Sequence, residues 1–232
     1  IELDNQFIEA HAYLGMVYWW MNQFQKAEEQ LELSLDLAKK SFNEPGLATV
    51  YNFLGIMYKR WKKYLKAIKY FEKALELNIQ LQDKFSEGKV KQNMGGCFAA
   101  MLKPYLAHEL LNQSMQIYID FEEDINIGNA LAETGHVYKN NGEYTESLIN
   151  HLKALGMFRK VSSRFNEYRV LFVIADTYSR LGMFEETKRY LEDIKSFESS
   201  FSDYYSLARI FSISSEINIW NGELDTAIEE ID

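Results

Sequence analysis

One spacing constrains this chain more than any other feature: small residues stand forty positions apart, at Gly15, Gly55, Gly95, Gly135, Ala175 and Ser215. Three residues beyond them stand Tyr18, Tyr58, Phe98, Tyr138 and Tyr178, and only Asn218 breaks the run. Twelve residues beyond them stand Ala27, Ala67, Ala107, Ser147, Thr187 and Ala227. The register runs from end to end without an insertion. Self-similarity at a fixed period of this size marks a stacked-repeat protein, in which each unit buries its apolar face only against its neighbours.

Each period holds two apolar patterns of helical spacing. In the second period they predict a first helix over 44–60 and a second over 64–82. Asn43 is placed to cap the first of these, with Pro45 in its opening turn. Pro104 stands at the start of another second helix, where its missing N–H is harmless. The breaks within periods read MNQF, WKKY, LKPY, NNGEY, RLGMF and WNGEL, and those between periods include SFNEPG, QDKFSEG and EEDINIG. Such short connections suit antiparallel neighbouring helices. The recurring glycine then has a structural reason. A glycine inside a helix costs about 1 kcal/mol relative to alanine. A small residue on the first helix facing a small residue on the second lets two backbones approach, and the tyrosine three residues on covers the contact.

The arrangement of Leu54, Gly55, Tyr58, Ala67, Phe71 and Ala74 resembles the tetratricopeptide repeat family. The match covers the whole chain, as repeats over 4–43, 44–83, 84–123, 124–163, 164–203 and an incomplete 204–232. Two features depart from the family pattern: the period is forty rather than thirty-four residues, and the closing proline is absent. The longer period resembles kinesin light chain, the Leu-Gly-Asn-type adaptors and bacterial tetratricopeptide regulators. The resemblance implies an all-α fold, a right-handed superhelical solenoid of antiparallel helix pairs. It also implies a concave groove lined by the first helices.

Composition narrows the partner. The chain carries a net charge of −9, which disfavours direct binding to nucleic acid. It has no apolar run long enough to insert in a membrane. One cysteine, Cys97, allows no internal disulfide and fits a reducing, cytoplasmic setting. Numbering the recurrent small residue as position 8 of its helix, positions 3, 4, 7, 8 and 11 form the apolar face. Positions 2, 5, 9, 12 and 13 lie opposite, on the face that the resemblance assigns to the groove. There the sequence places Lys59, Arg60, Lys89, Lys139, Arg169, Arg180 and Arg209, against the acidic Glu9, Asp176 and Glu216. Asn52, Gln92, Asn129, His136 and Asn140 share the face, with Asn93 beside them. Asparagine donates and accepts at once, which suits an extended peptide backbone. Trp19, Trp20 and Trp220 fall there too, and Gly96, Ala99 and Ala100 offer space for a local recess.

Catalytic and metal chemistry find no support in the sequence. His11, His108, His136 and His151 lack ligand spacing, and neither HExxH nor a phosphate-binding glycine motif occurs. No cofactor is expected. The reading is a non-catalytic scaffold that binds an acidic or carboxylate-bearing protein or peptide segment. The alternative is the sensory array of a bacterial signalling protein, such as a transcription regulator, kinase or cyclase, whose effector domain lies outside these residues. The second helix starting near Leu224 has no polar helix after it. A segment of a longer chain, with self-association through uncapped ends, is therefore expected.

Overall fold

The computed structural model describes residues 2–197 and 212–215, with side chains from Phe7 onward. Arg209, Glu216, Asn218, Trp220, Ala227 and the second helix near Leu224 lie outside the described residues. Helices follow one another as α1 (Glu2–Trp20), α2 (Phe24–Lys40), α3 (Glu44–Arg60), α4 (Tyr64–Gln80) and α5 (Lys84–Ala100). They continue as α6 (Pro104–Asp120), α7 (Asp124–Asn140), α8 (Tyr144–Lys160), α9 (Arg164–Arg180) and α10 (Phe184–Lys195), and no strand occurs among the described residues. The chain divides into two compact units, 1–122 and 123–232. The first holds the hairpins α1–α2, α3–α4 and α5–α6; the second holds α7–α8 and α9–α10. In the first unit the core runs through Ile8, Leu31, Leu54, Met57, Tyr58, Phe71 and Cys97, all essentially inaccessible to solvent.

Within each hairpin the two helices meet at the recurrent small residue. A Cβ added at Gly55 would stand 2.3 Å from the Phe71 ring, and one at Gly15 would stand 2.8 Å from Leu31 Cγ. The space is therefore taken by the side chain sixteen residues on from the glycine. The small residue twelve on contributes its backbone: the Ala27 carbonyl lies 3.2 Å from the same point at Gly15. Where the first helix carries a methyl group, at Ala175, the residue sixteen on is the buried Leu191.

The turns obey a shorter rule than the sequence displays. A residue with positive φ recurs every twenty positions: Asn22, Phe42, Lys62, Gln82, Leu102, Glu122, Gly142, Ser162 and Gly182. Apart from Glu122, each closes a helix by bonding its own amide and the next one back to the last turn. At the α3 end, Lys62 N–H donates to the Lys59 carbonyl and Lys63 N–H to that of Tyr58, both at 3.0 Å. Turns within and between repeats are thus the same three-residue device. The expected end of the second helix at 82 moves to Gln80 because Gln82 adopts φ 57°. Side-chain caps close only some helix starts. The Asn43 carbonyl oxygen accepts from Gly46 N–H at 2.8 Å, as expected, and Asp83 accepts from Ser86 N–H at 2.9 Å.

Two outcomes follow for stability. Gly55→Ala should destabilise by about 1–3 kcal/mol in urea unfolding despite its better helix propensity, because the methyl group overpacks against Phe71. Adding Phe71→Leu should recover most of that loss, and a Gly55→Ala protein as stable as the parent would refute the packing account. Leu102 is exposed and sits at φ 55°. Left-handed backbone costs an L-residue about 1–2 kcal/mol, so Leu102→Gly should raise stability, net of the glycine's extra unfolded-state entropy. A lower urea midpoint for Leu102→Gly would count against this.

Candidate functional site

In the first unit the first helices lie side by side. The Tyr13 and Phe53 rings meet edge to face at 5.6 Å, joining α1 to α3. The Asn93 amide donates to the Asn52 carbonyl at 3.4 Å, joining α3 to α5. The sequence-predicted residues Asn52, Lys59, Arg60, Lys89, Gln92 and Asn93 all fall on these two helices. This lateral packing covers part of the face that the sequence reading treated as open. Arg60 and Lys89 are exposed, while Asn52, Lys59, Gln92 and Asn93 are half-buried.

Three placements differ from the sequence reading. Trp19 is buried rather than lining a groove, and Trp20 stands exposed against its edge at 5.0 Å. Gln92 accepts from the buried Tyr118 hydroxyl on α6 at 2.8 Å, which commits its carbonyl to the interior of the hairpin. Gly96 and Ala99 are buried and only Ala100 is exposed, so these small residues pack against neighbours. The physical reason differs between them. A 100° helical projection separates two faces, but in the first unit α3 also packs sideways on α1 and α5, and Gln92 bonds across its own hairpin.

Two exposed cations are held by rings. The Arg60 guanidinium lies 4.7 Å from the centre of the Trp19 ring, and the Lys89 ammonium 4.2 Å from that of Phe85. In the second unit Arg169 lies 5.7 Å from the Phe165 ring. Lys139 and Arg180 behave differently, because Asp176 takes both. Lys139 donates to its carboxylate, and Arg180 Nε donates to the same oxygen at 3.1 Å. Burial would raise the Asp176 carboxyl, but these two cations outweigh it and hold it below the usual carboxylate range. Asn129 and His136 are half-buried and Asn140 is exposed. Arg209 lies outside the described residues.

Two features escaped the sequence reading. The first is a cluster on Tyr58, whose hydroxyl donates to Glu28 of the preceding hairpin and accepts from Lys66 at 2.6 Å. Its ring stacks on Tyr70 at 5.4 Å. Burial, then the Glu28 carboxylate, pushes the phenol well above its ordinary range. The second is His151, which occupies the register of Leu31, Phe71 and Leu111 and is completely buried against Gly135. Its Nδ1–H donates to the Ser147 carbonyl at 2.8 Å, and its Nε2 is buried without a partner. The His136 ring meets it edge to face at 4.9 Å. The signal was present in the sequence as a polar residue at a core register position.

Among the described residues no group of three potential ligands could hold a metal ion, and no helix is long and apolar enough to cross a membrane.

Comparison with known proteins agrees with this architecture. Residues 7–80 match the family model for the tetratricopeptide repeat. Tetratricopeptide repeat protein 29 of Macaca fascicularis is 23% identical over 193 residues, which are 78% of this chain and 41% of that protein. The chain therefore spans about two fifths of the length of that relative. A Rap protein complexed with Competence and Sporulation Factor superposes with a TM-score of 0.82 at 16% identity, over 95% of this chain and 61% of that one. Tetratricopeptide-like repeats of a putative kinesin light chain from Podosopora anserina superpose with a TM-score of 0.66 at 18% identity, over 86% and 97%. Forty-residue helical hairpins recur in both units, so the chain has a helical-repeat fold of the tetratricopeptide kind, an architecture suited to protein–protein interaction.

The buried imidazole gives a pH signature. Burial, then electrostatic repulsion from the neighbouring His136 ring, lowers the His151 pKa from its ordinary 6.5 to about 3; Lys139 acts in the same sense, while the Ser147 carbonyl and Glu133 oppose it. The unfolded chain takes up a proton below pH 6.5 that the folded chain refuses. Stability present at neutral pH is therefore lost as pH falls, by about 1.4 kcal/mol per unit from this group. His151→Leu, which restores the residue type of Leu31 and Leu111, should remove that contribution. The gap between variant and parent should widen from pH 7 to pH 5 in urea unfolding, and a constant gap would overturn the assignment.

Proposed function

We propose that this chain is a non-catalytic interaction module that captures a protein or peptide segment along the first-helix faces of its units. The segment is acidic or ends in a carboxylate. One observation carries this reading: among the described residues Arg60, Lys89 and Arg169 form no ion pair and rest on aromatic rings instead. A ring orients a cation without neutralising it, so its charge stays available to an anionic ligand on a chain that is negative overall. Lys59 belongs to the same surface. The half-buried Asn52 and Asn93, joined by a long hydrogen bond, can exchange it for one to a ligand backbone. Asn129, His136 and Asn140 extend the surface in the second unit, with Arg209 added from the sequence. Lys139 and Arg180 contribute less net charge because Asp176 offsets them. The likeness to a Rap protein in complex with a named factor supports capture of a partner by an array of this kind. A single buried thiol, Cys97, accords with a cytoplasmic setting.

A second reading, a sensory array coupled to an output elsewhere in the protein, draws on the greater length of both the Macaca relative and the Rap protein.

Selection of a random displayed-peptide library on the chain tests the leading reading. Recovered peptides should be rich in Asp, Glu or C-terminal carboxylates, and their affinity should fall with salt. Arg60→Gln with Lys89→Gln should weaken them about tenfold and flatten the salt dependence, as loss of two partly screened charge contacts implies. Recovery of neutral or basic peptides, or indifference to the double variant, would defeat the electrostatic part of the proposal.

A further inference from the structure

In the first unit α1, α3 and α5 lie side by side and end at Trp20, Arg60 and Ala100, so the turns that follow them share one edge. The first two turns touch: the Arg60 guanidinium rests on Trp19, and the Trp61 ring meets Phe24 at 5.9 Å. Trp61, Tyr64 and Met101 pack against one core, which ties in the third. Large apolar side chains stand outward along this edge: Trp20, Leu65, Leu102 and Tyr105 are 63%, 67%, 65% and 80% exposed. Single exposed apolar residues are ordinary on a protein surface, but a row of them on adjoining turns is not. Over 20–26, 60–66 and 100–106 the charged residues are Lys26, Arg60, Lys62, Lys63, Lys66 and Lys103, with no carboxylate among them. The first carboxylates of the second helices, Glu28, Glu72 and Glu109, come further along, and Glu28 is engaged by the Tyr58 hydroxyl. The corresponding turns of the second unit are different. There 140–146 and 180–186 carry Glu143, Glu146, Glu185 and Glu186 against Arg180. Gly142 and Gly182 hold the left-handed position in those turns, where the first unit has Lys62 and Leu102. Leu102 thus keeps a φ of 55° and a bare apolar side chain where glycine serves elsewhere, a local cost of the kind found at functional surfaces.

We propose that this edge docks on an anionic membrane surface, resting among the headgroups without crossing the bilayer. Trp20 and Tyr105 suit such an interface because each joins an apolar ring to a polar N–H or O–H. Leu65 and Leu102 supply apolar anchors, and the exposed Lys62, Lys63 and Lys103 stand among them to meet anionic headgroups. A row of separately protruding tips fits a soft surface that each can enter, whereas a folded partner would need pockets matched to them. The net charge of −9 does not oppose docking, because carboxylates farther from the headgroups than a Debye length, about 8 Å at physiological salt, are screened. The edge shares only Arg60 with the surface proposed for peptides, so the two readings stand or fall separately.

Cosedimentation of the chain with vesicles at physiological salt tests the proposal. Phosphatidylcholine vesicles carrying about 30% phosphatidylserine should take up the chain at least about tenfold better than pure phosphatidylcholine. Lys62→Glu with Lys63→Glu should cost about tenfold or more, and so should Leu65→Ser with Tyr105→Ser, which alters no charge. All four side chains are exposed, so the urea midpoints of both variants should stay near that of the parent. Lys39→Glu with Lys40→Glu, at the opposite end of the first hairpin, makes the same change in net charge and should leave uptake within about twofold. No uptake by either vesicle, equal uptake by both, or an equal loss in the variant of Lys39 and Lys40 would overturn the proposal. Loss on charge reversal without loss in the variant of Leu65 and Tyr105 would also overturn it, since the edge would then be an electrostatic contact for an acidic protein.

Discussion

The fold depends on how closely two antiparallel backbones approach at one point in each hairpin. A methyl group is excluded at Gly55 because the Phe71 ring already fills the space, and Gly135 is constrained in the same way by the His151 ring. Glycine therefore accepts its helix penalty in return for burying a large side chain across the partner helix. The large side chain is a ring at Phe71 and His151 and a leucine opposite Gly15 and Gly95, and Leu191 is buried sixteen residues on from Ala175. With the contact fixed on one side of the first helix, its other side is fixed too. The position of the candidate binding residues is thus a consequence of core packing.

Equal turns keep that geometry in step. A helix turns 100° per residue, so one inserted residue would swing a first helix's functional side away from its neighbours. Seventeen-residue helices closed by identical turns prevent such drift from α2 through α9. The backbone bears a local cost for this. Phe42, Lys62, Leu102 and Ser162 adopt left-handed φ without the freedom of glycine. Their strain is offset by the two backbone hydrogen bonds that each turn makes to the end of its helix.

This contrast explains what the sequence revealed. The Gly, Tyr and Ala register was legible because contact volume is a property of side chains and recurs with them. The Asn43 cap and the Pro104 start were legible for the same reason. The twenty-residue turn was hidden, because its conformation is imposed by backbone hydrogen bonds and, among the described residues, has glycine at Gly142 and Gly182 but not at the other turns. The candidate site was legible only as a tally of charge. A sequence cannot show that one carboxylate, Asp176, reaches both Lys139 on its neighbouring helix and Arg180 on its own. Nor could a two-faced projection place Trp19 in the core, since it ignores the lateral packing of first helix on first helix.

The environments of the cations separate structural from available charge. Arg159 is anchored by the buried Glu167 at 2.9 Å, and Lys84 and Lys91 by the buried Glu87 at 2.8 and 2.7 Å. Burial alone would raise the Glu87 carboxyl, yet the two ammonium groups hold it below its ordinary value, so these cations serve the fold. Arg60 and Lys89 instead face aromatic quadrupoles, which fix the side chains in place and leave their monopoles intact. A ligand that approaches the first unit therefore meets pre-oriented positive charge with little competing carboxylate to displace. Pre-orientation lowers the ordering cost of binding, while uncompensated charge supplies attraction over about a Debye length, roughly 8–10 Å at physiological salt. The aromatic residues beside these cations thus belong to the interaction surface as much as to the packing, even where, as with Trp19, the ring itself is buried.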